Sequence, residues 1–430
     1  MKAVGIIAEY NPLHKGHEYH ISEARRQSGA DCTVAVISGN FVQQGRPSIL
    51  GKYSKACQAL LAGVDLVLEL PVFYATSSAE KFAEGSVKTL SAMGVKEICF
   101  GSETPDPAGF CLVSDILLKE PEEYRQVLKT NLAAGISFPK AREQALVSYF
   151  KTLRNHNETV LSDKELKKIL TGSNNNLGLE YYKAASRFSG DIQFLPVKRL
   201  GSGYNERDIK AEGYKSATAL RADVALSEAT FTELSYDFLS NVPEQTRCHL
   251  QSTYKKQWPI FMDDFSGHFL YLMNVFLHAA EYNTKECATI LSSFYDVSEN
   301  LAFRILRLYR EKFTTLTDLC DRVKNKQITY SHVSRALIHI LLGLTEERKS
   351  FYEGPSVPYI RVLGMNQKGQ QYLKEAAANL DGSIPIIVSP GGKETLLQDD
   401  VFASSLYNQV MSGKFHYELA PEYRQKPIIM

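Results

Sequence analysis

The sequence predicts an α/β protein: a doubly wound, parallel, Rossmann-like sheet, then a mainly α-helical region, then a small closing α/β segment. Three observations lead there. Over the first two hundred residues short apolar runs alternate with helical patterns, the βαβα order of a parallel sheet with right-handed crossovers. Residues from about 224 to 342 then show one helical periodicity after another. Finally, 430 residues exceed what a single growing core holds, so units spanning 1–223, 224–350 and 351–430 are expected.

The elements follow in order. Ala3 to Ala8, Cys32 to Ser38, Asp65 to Leu70 and Glu97 to Phe100 read as strands covered on both faces, because their apolar runs are short and nearly continuous. Helical patterns fall between them, around Gly16 to Gln27, Lys52 to Ala62 and Ala79 to Met93. Ligands of such sheets sit beyond the carboxyl ends of the strands. The unusual residues fall there: Asn11 to His17, Gly39 to Pro47, Pro71 to Ser78 and Gly101 to Thr104. From Phe110 to Ser186 the pattern is helical, broken by the polar segment Thr171 to Asn176. A strand at Ile192 to Val197 then leads through a polar, glycine-containing loop to a helix start at Lys215 to Arg221. After the all-helical stretch, Tyr359 to Leu363 and Ile384 to Val388 read as strands, each with a helix behind it.

A composition 44% hydrophobic and 23% charged excludes disorder as the default. A net charge of +1 leaves no overall field to attract nucleic acid or membrane, so any RNA contact needs a local patch. Seven cysteines lie scattered without CxxC pairs, which reads as buried thiols in a reducing compartment rather than a metal site. The N-terminus lacks the pattern of a signal peptide. The most apolar later stretch, His268 to Ala280, is too short to cross a bilayer and reads as a buried helix. A cytoplasmic location is expected, with no membrane partner and no partner protein evident.

The strongest local signal is His14-Lys15-Gly16-His17, after a strand and at a helix opening. A helix N-terminus presents unpaired N–H groups and partial positive charge, which favour a phosphate. Gly16 lets the backbone approach a ligand closely. His14 and His17, three apart, can face one side of the first turn and serve as catalytic donors to phosphate oxygens. The plainer alternative is that His14 caps the turn and His17 packs inside it. Lys215-Ser216-Ala217-Thr218-Ala219-Leu220-Arg221 is a second such place, with Ser216 as N-cap and Thr218 and Arg221 on the following turn. A capped surface helix is its plainer reading.

Together the two motifs resemble the phosphate-binding pair of the HIGH nucleotidyltransferase superfamily. The runs GIIAEYNPLHKGH, SGNFVQQGRP, GVDLVLELPVFYATSSAEKFAEG, CFGSE, NNNLGLEYYKA, SATALR and YIRVLGMNQKG are similar, over nearly the whole chain, to the bacterial tRNA(Met) cytidine acetate ligase family. The resemblance implies that ATP activates acetate as acetyl-adenylate and that the acetyl group passes to N4 of the wobble cytidine of elongator tRNA(Met), giving N4-acetylcytidine. It carries ATP contacts to Ile7, Ala8, Glu9, Tyr10, Asn11, Pro12, Leu13, His14, Lys15, Gly16, His17, Glu18, Tyr19 and His20, and to Gly101, Asn174 and Arg199. Ser216, Thr218 and Arg221 complete the expected ATP site. The second loop departs from the family pattern: Gln44, Arg46 and Gly51 stand where an Arg, an acidic residue and an Asp are expected.

On the residues alone, Gly101 could equally be a turn glycine, Asn174 and Asn175 helix caps, and Arg199 a solvated side chain. Asn40, Gln43, Lys52, Ser102 and Glu103 are unranked candidates to hold acetate or orient the acceptor, with Phe41 or Tyr74 as walls of a tight pocket. Mg²⁺ is expected to accompany the triphosphate, held by phosphate oxygens and water without a dedicated protein site. Arg304, Arg307, Arg310 and Lys312, followed by Arg322, Lys324 and Lys326, form a basic cluster interleaved with Phe303, Tyr309 and Phe313. It reads either as an RNA-tracking face or as a solvated surface over an aromatic stripe. Two other functions remain open: a small-molecule adenylyltransferase or acetate-activating ligase with a non-RNA acceptor, and a non-catalytic nucleotide- or RNA-binding protein.

Overall fold

A computed structural model describes residues 1–155, 160–188, 190–200, 214–311, 313–380, 382–393, 395–418 and 420–430. Its strands are β1 (Ala3–Ala8), β2 (Cys32–Ser38), β3 (Phe41–Val42), β4 (Arg46–Pro47), β5 (Leu66–Leu70), β6 (Glu97–Ser102), β7 (Gln193–Lys198), β8 (Ile360–Met365), β9 (Ile386–Ile387) and β10 (Ile428–Ile429). The main sheet runs β10-β8-β5-β2-β1-β6-β7, with β9 also on β8, while β3 and β4 form a separate hairpin. The main-sheet strands of the first two hundred residues are mutually parallel. Strand order reverses between β1 and β6, the switch point where a doubly wound sheet opens a crevice.

Alternation along each strand explains the two covered faces. Ala3 and Ile7 of β1 join Val34, Val36, Leu66 and Leu68 in one core, against Phe82, Val87 and Leu90 of the helix Ala79–Ala92. Val4 and Ile6 point the other way, joining Ala35, Ile37 and Val67 against Ile21 and Ala24 of Lys15–Ser28 and Ala56 and Ala59 of Lys52–Leu61.

The closing segment is α/β as expected. Its strands extend the main sheet, and β8 runs antiparallel to β5. A strand arriving from the helical region is not tied to a βαβ crossover, so nothing forces it parallel. Its last long helix, Gln398–Phe415, packs Leu406, Tyr407, Val410 and Met411 into the core of the helical region. That core is otherwise built by Ser266–Ala279, Thr284–Ser292, Glu299–Tyr309, Leu316–Val323 and Tyr330–Leu342.

The helix expected to be buried at His268 to Ala280 is Ser266–Ala279, and it buries one face only: Phe269, Met273 and Leu277 point inward while Tyr271 is 73% exposed. No helix among the described residues is long and apolar enough to cross a membrane. All seven cysteines are free thiols, and Cys111 and Cys248 are exposed where burial was expected. The polar loop at residues 201–213 lies outside the described residues.

Candidate active site

The carboxyl ends of β1, β6 and β7 open into a cleft of about 390 Å³. Its floor is the turn from β1 into the helix Lys15–Ser28. The backbone N–H of Gly16 donates to His14 Nδ1 at 3.0 Å, and that of His14 donates to His17 Nδ1 at 3.2 Å. The two rings stack with centroids 3.8 Å apart. Because each Nδ1 accepts, each neutral imidazole carries its proton on Nε2. His14 is therefore a cap through Nδ1, as the plainer reading of the motif has it, and this leaves its Nε2–H without a role in the turn. Gly16 has a more specific reason than close ligand approach: a Cβ there would lie 2.8 Å from His14 Cε1, so only glycine lets the ring fold back over the turn.

The helix Ala217–Ala229 meets this turn head-on. Ser216 Oγ accepts from the Ala219 N–H at 3.3 Å, while Arg221 donates to Asn11 O at 2.7 Å and to Thr218 Oγ1 at 3.0 Å. Two helix N-termini and a guanidinium thus converge on one space, the arrangement that stabilises a polyphosphate. Asn11 is buried; its Oδ1 accepts from the Ile49 N–H at 2.9 Å, and its Nδ2 has no hydrogen-bond partner among the described residues although the side chain lines the cleft.

At the other end, Arg199 lies over Gly101, where a Cβ would come 3.3 Å from Arg199 Cγ, and donates to Asn174 Oδ1 at 3.3 Å. Asn174 Nδ2 donates to Glu103 Oε1 at 2.7 Å, and the Asn175 N–H to Glu103 Oε2 at 2.9 Å. Asn175 Oδ1 accepts from Ser102 Oγ at 2.7 Å and the Glu103 N–H at 3.0 Å. Glu103 therefore caps the helix Ser173–Phe188 and Ser102 braces it, which removes both as acetate ligands.

Other candidates are also placed away from the cleft. Phe41 packs against Phe265 and Tyr407 in the helical core, and the Tyr74 hydroxyl bonds to Tyr352 O, so neither walls an acetate pocket. Asn40 Oδ1 accepts from the Lys52 N–H at 2.8 Å, and Lys52 Nζ is buried between Glu69 and Glu422. Among the residues assigned to ATP, Pro12, Leu13, Lys15 and Glu18 do not line the cleft; Leu13 is wholly buried in the sheet core. A strand-exit run alternates between inward and ligand-facing positions, which a continuous carry-over ignores.

The basic cluster is partly structural. Arg304 donates to Val323 O and, at 3.2 Å and 3.3 Å, to Arg322 O and Lys324 O, closing the end of the helix Leu316–Val323. Arg322 pairs with Asp318 and Lys324 with Asp321. Arg307 and Lys326 are exposed, Arg310 is exposed but donates to Tyr282 O at 3.3 Å, and Lys312 lies outside the described residues.

A profile of the HIGH Nucleotidyl Transferase family matches residues 1–421. The chain belongs to that family. Within it, the tRNA(Met) cytidine acetate ligase of Thermoanaerobacter sp. (strain X514) is 37% identical over 417 residues, covering 95% of each chain. The enzyme of that name from Caldicellulosiruptor saccharolyticus is 35% identical over 436 residues, covering 100% of this chain and 98% of its own. Thermotoga maritima TmcAL superposes over 100% of both chains at 30% identity, with TM-scores of 0.86 for the apo form and 0.84 for the form bound with alpha-thio ATP.

For a HIGH nucleotidyltransferase the electrostatics are apt. Burial, helped by Arg199 and Arg221, lowers His14 to about 3; burial, His14 and Arg199 hold His17 well below its ordinary value. Both imidazoles are neutral at physiological pH, so each can donate a hydrogen bond from Nε2 without carrying charge. The residues missed from sequence lie on the remaining wall: Gln44, Phe82, Leu177, Tyr181, and Ser331 from the helical region. The NNNLGLEYYKA run was a usable signal for Leu177 and Tyr181. Nothing local marked Ser331, whose place depends on how Tyr330–Leu342 docks.

Proposed function

We propose that this protein is an ATP-dependent acetate ligase that forms acetyl-adenylate and transfers the acetyl group to N4 of the wobble cytidine of elongator tRNA(Met). The observation that carries the reading is the union of the His14–His17 pair and the Ser216–Arg221 helix start in one cleft at the switch point. In the activation step an acetate oxygen attacks the α-phosphorus, and the bond to pyrophosphate breaks. Charge then grows on phosphate oxygens, where two preorganised neutral donors supply roughly 3–4 kcal/mol each. ATP would lie with its base toward Gly101, Asn174 and Arg199 and its phosphates toward His14, His17, Thr218 and Arg221. Glu9 is the one carboxylate on the described lining, which suits a Mg²⁺ carried chiefly by phosphate oxygens and water. Arg307 and Lys326 are the exposed members of the basic cluster without a carbonyl or carboxylate contact among the described residues, and with the exposed Arg310 they are the ones offered to RNA phosphates. The names of the relatives and the alpha-thio ATP held by the Thermotoga protein support this reading.

The test is ATP-driven incorporation of labelled acetate into elongator tRNA(Met), with AMP and pyrophosphate as co-products. Incorporation that disappears when the wobble C is changed to U supports the assignment. Formation of AMP and pyrophosphate with another acceptor and none with this tRNA would contradict it.

A further inference from the structure

The transfer step needs a group to take the proton that the cytidine N4 amine loses, and we propose that Glu9 is that general base; the inference rests on the function proposed above. Glu9 follows the last residue of β1, beside the switch point. It is the only carboxylate on the described lining of a cleft otherwise rich in imidazole, guanidinium and ammonium groups. Its backbone and one side-chain oxygen are held. Lys55 Nζ, fully buried, donates to Glu9 O at 3.0 Å and to Ser38 O at 2.7 Å, tying the exits of β1 and β2 together. The Gln43 N–H donates to Glu9 Oε1 at 2.9 Å. Among the described residues, Oε2 receives no hydrogen bond, so one oxygen of a rigidly placed carboxylate is left to face a substrate proton.

Position favours the second step over the first. β6 and β7, with Gly101, Asn174 and Arg199 at their exits, lie on one side of β1; β2 and its β3–β4 hairpin lie on the other. With adenosine on the first side and phosphates over His14 and His17, the acyl group and its acceptor are left the hairpin side, lined by Gln43, Gln44 and Ser331. Glu9 stands at the boundary, bonded to Gln43. As N4 attacks the acyl carbon, a C–N bond forms and the C–O bond to phosphate breaks. AMP leaves with that electron pair, and the N4 proton passes to Glu9 Oε2 and then to water. An amine attached to a pyrimidine is a weak nucleophile, so removing its proton as the bond forms is worth about 10²–10⁴-fold.

The experiment uses the full-length Glu9→Gln variant, whose side-chain oxygen still accepts from the Gln43 N–H. Two rates are read on one preparation: acetate-dependent exchange of labelled pyrophosphate into ATP, and acetyl transfer to elongator tRNA(Met). Transfer should fall at least about 10²-fold further than exchange, with Glu9→Asp recovering part of the rate. A melting temperature and circular dichroism spectrum equal to those of the parent certify the variant's fold. Equal loss of both rates, or a loss reversed by raising Mg²⁺, would overturn the proposal and make Glu9 an ATP or metal contact. Unchanged transfer would overturn it as well. Wild type that exchanges pyrophosphate but acetylates no tRNA would instead sink the acceptor reading, and the base with it.

Discussion

His14 shows how much one residue does at a strand exit. Its Nδ1 satisfies an otherwise orphaned backbone N–H while its Nε2–H is left for ligand, and this division of labour needs a bare α-carbon at position 16. Gly16→Ala should therefore displace the ring: acetate-dependent exchange should fall about 10²-fold, while circular dichroism remains that of the parent. His20 supplies a pH prediction. Burial and Arg199 lower it to about 4. Its unfolded form titrates near 6.5 and binds the proton that the folded form refuses, so the stability it contributes is present above about 6.5 and lost as pH falls toward 4. The melting temperature of His20→Gln should decline less steeply than that of the parent between pH 6.5 and pH 4; parallel slopes would contradict the assignment. The imidazoles were legible because HxGH sat between a strand and a helix. Glu103 was not, because its carboxylate is taken up by Asn174 and Asn175, 71 and 72 positions away. Phe41 and Tyr74 misled for a related reason: nearness to a strand exit in sequence does not say which way a side chain turns.

The β3–β4 hairpin is the element through which the helical region reaches the cleft. Gly45 at its tip has φ 69°, and a Cβ there would lie 2.2 Å from Arg335 N, while Ser334 Oγ donates to Gly45 O at 2.6 Å. Gly45→Ala combines a left-handed backbone with a backbone collision, so it should destabilise by about 1–3 kcal/mol, read as a lower denaturation midpoint. Sequence reading made this segment a loop: a two-residue strand is too short to carry periodicity, and its partner helix lies almost three hundred residues away. The longer elements were legible, since Lys52 to Ala62 and Ala79 to Met93 end within a residue of the observed helices.

For the whole molecule, the chain's end is tied to its beginning. Lys52 Nζ sits 2.9 Å from Glu69 Oε2 and 2.8 Å from Glu422 Oε1, and Arg361 of β8 lies 3.5 Å from Glu422, all of them buried. Removing one charge from such a cluster leaves the others unpaired in a poorly solvated site. Glu422→Gln should therefore cost about 3–5 kcal/mol in chemical denaturation, far more than a surface substitution. The fold class was legible, because βαβ order and apolar runs dictate a parallel sheet. The antiparallel β8 was not: an apolar run announces a strand without naming its partner or direction.

If the HxGH turn and the Ser216–Arg221 helix start activate acetate at the α-phosphate of ATP, exchange of labelled pyrophosphate into ATP must depend on both acetate and His14. The decisive comparison is between the parent and His14→Asn, in which the amide oxygen can still cap the turn. Exchange should occur only when acetate is present, and should fall about 10²–10³-fold in the variant at an unchanged melting temperature. Exchange that ignores acetate, or that survives His14→Asn intact, would contradict that role.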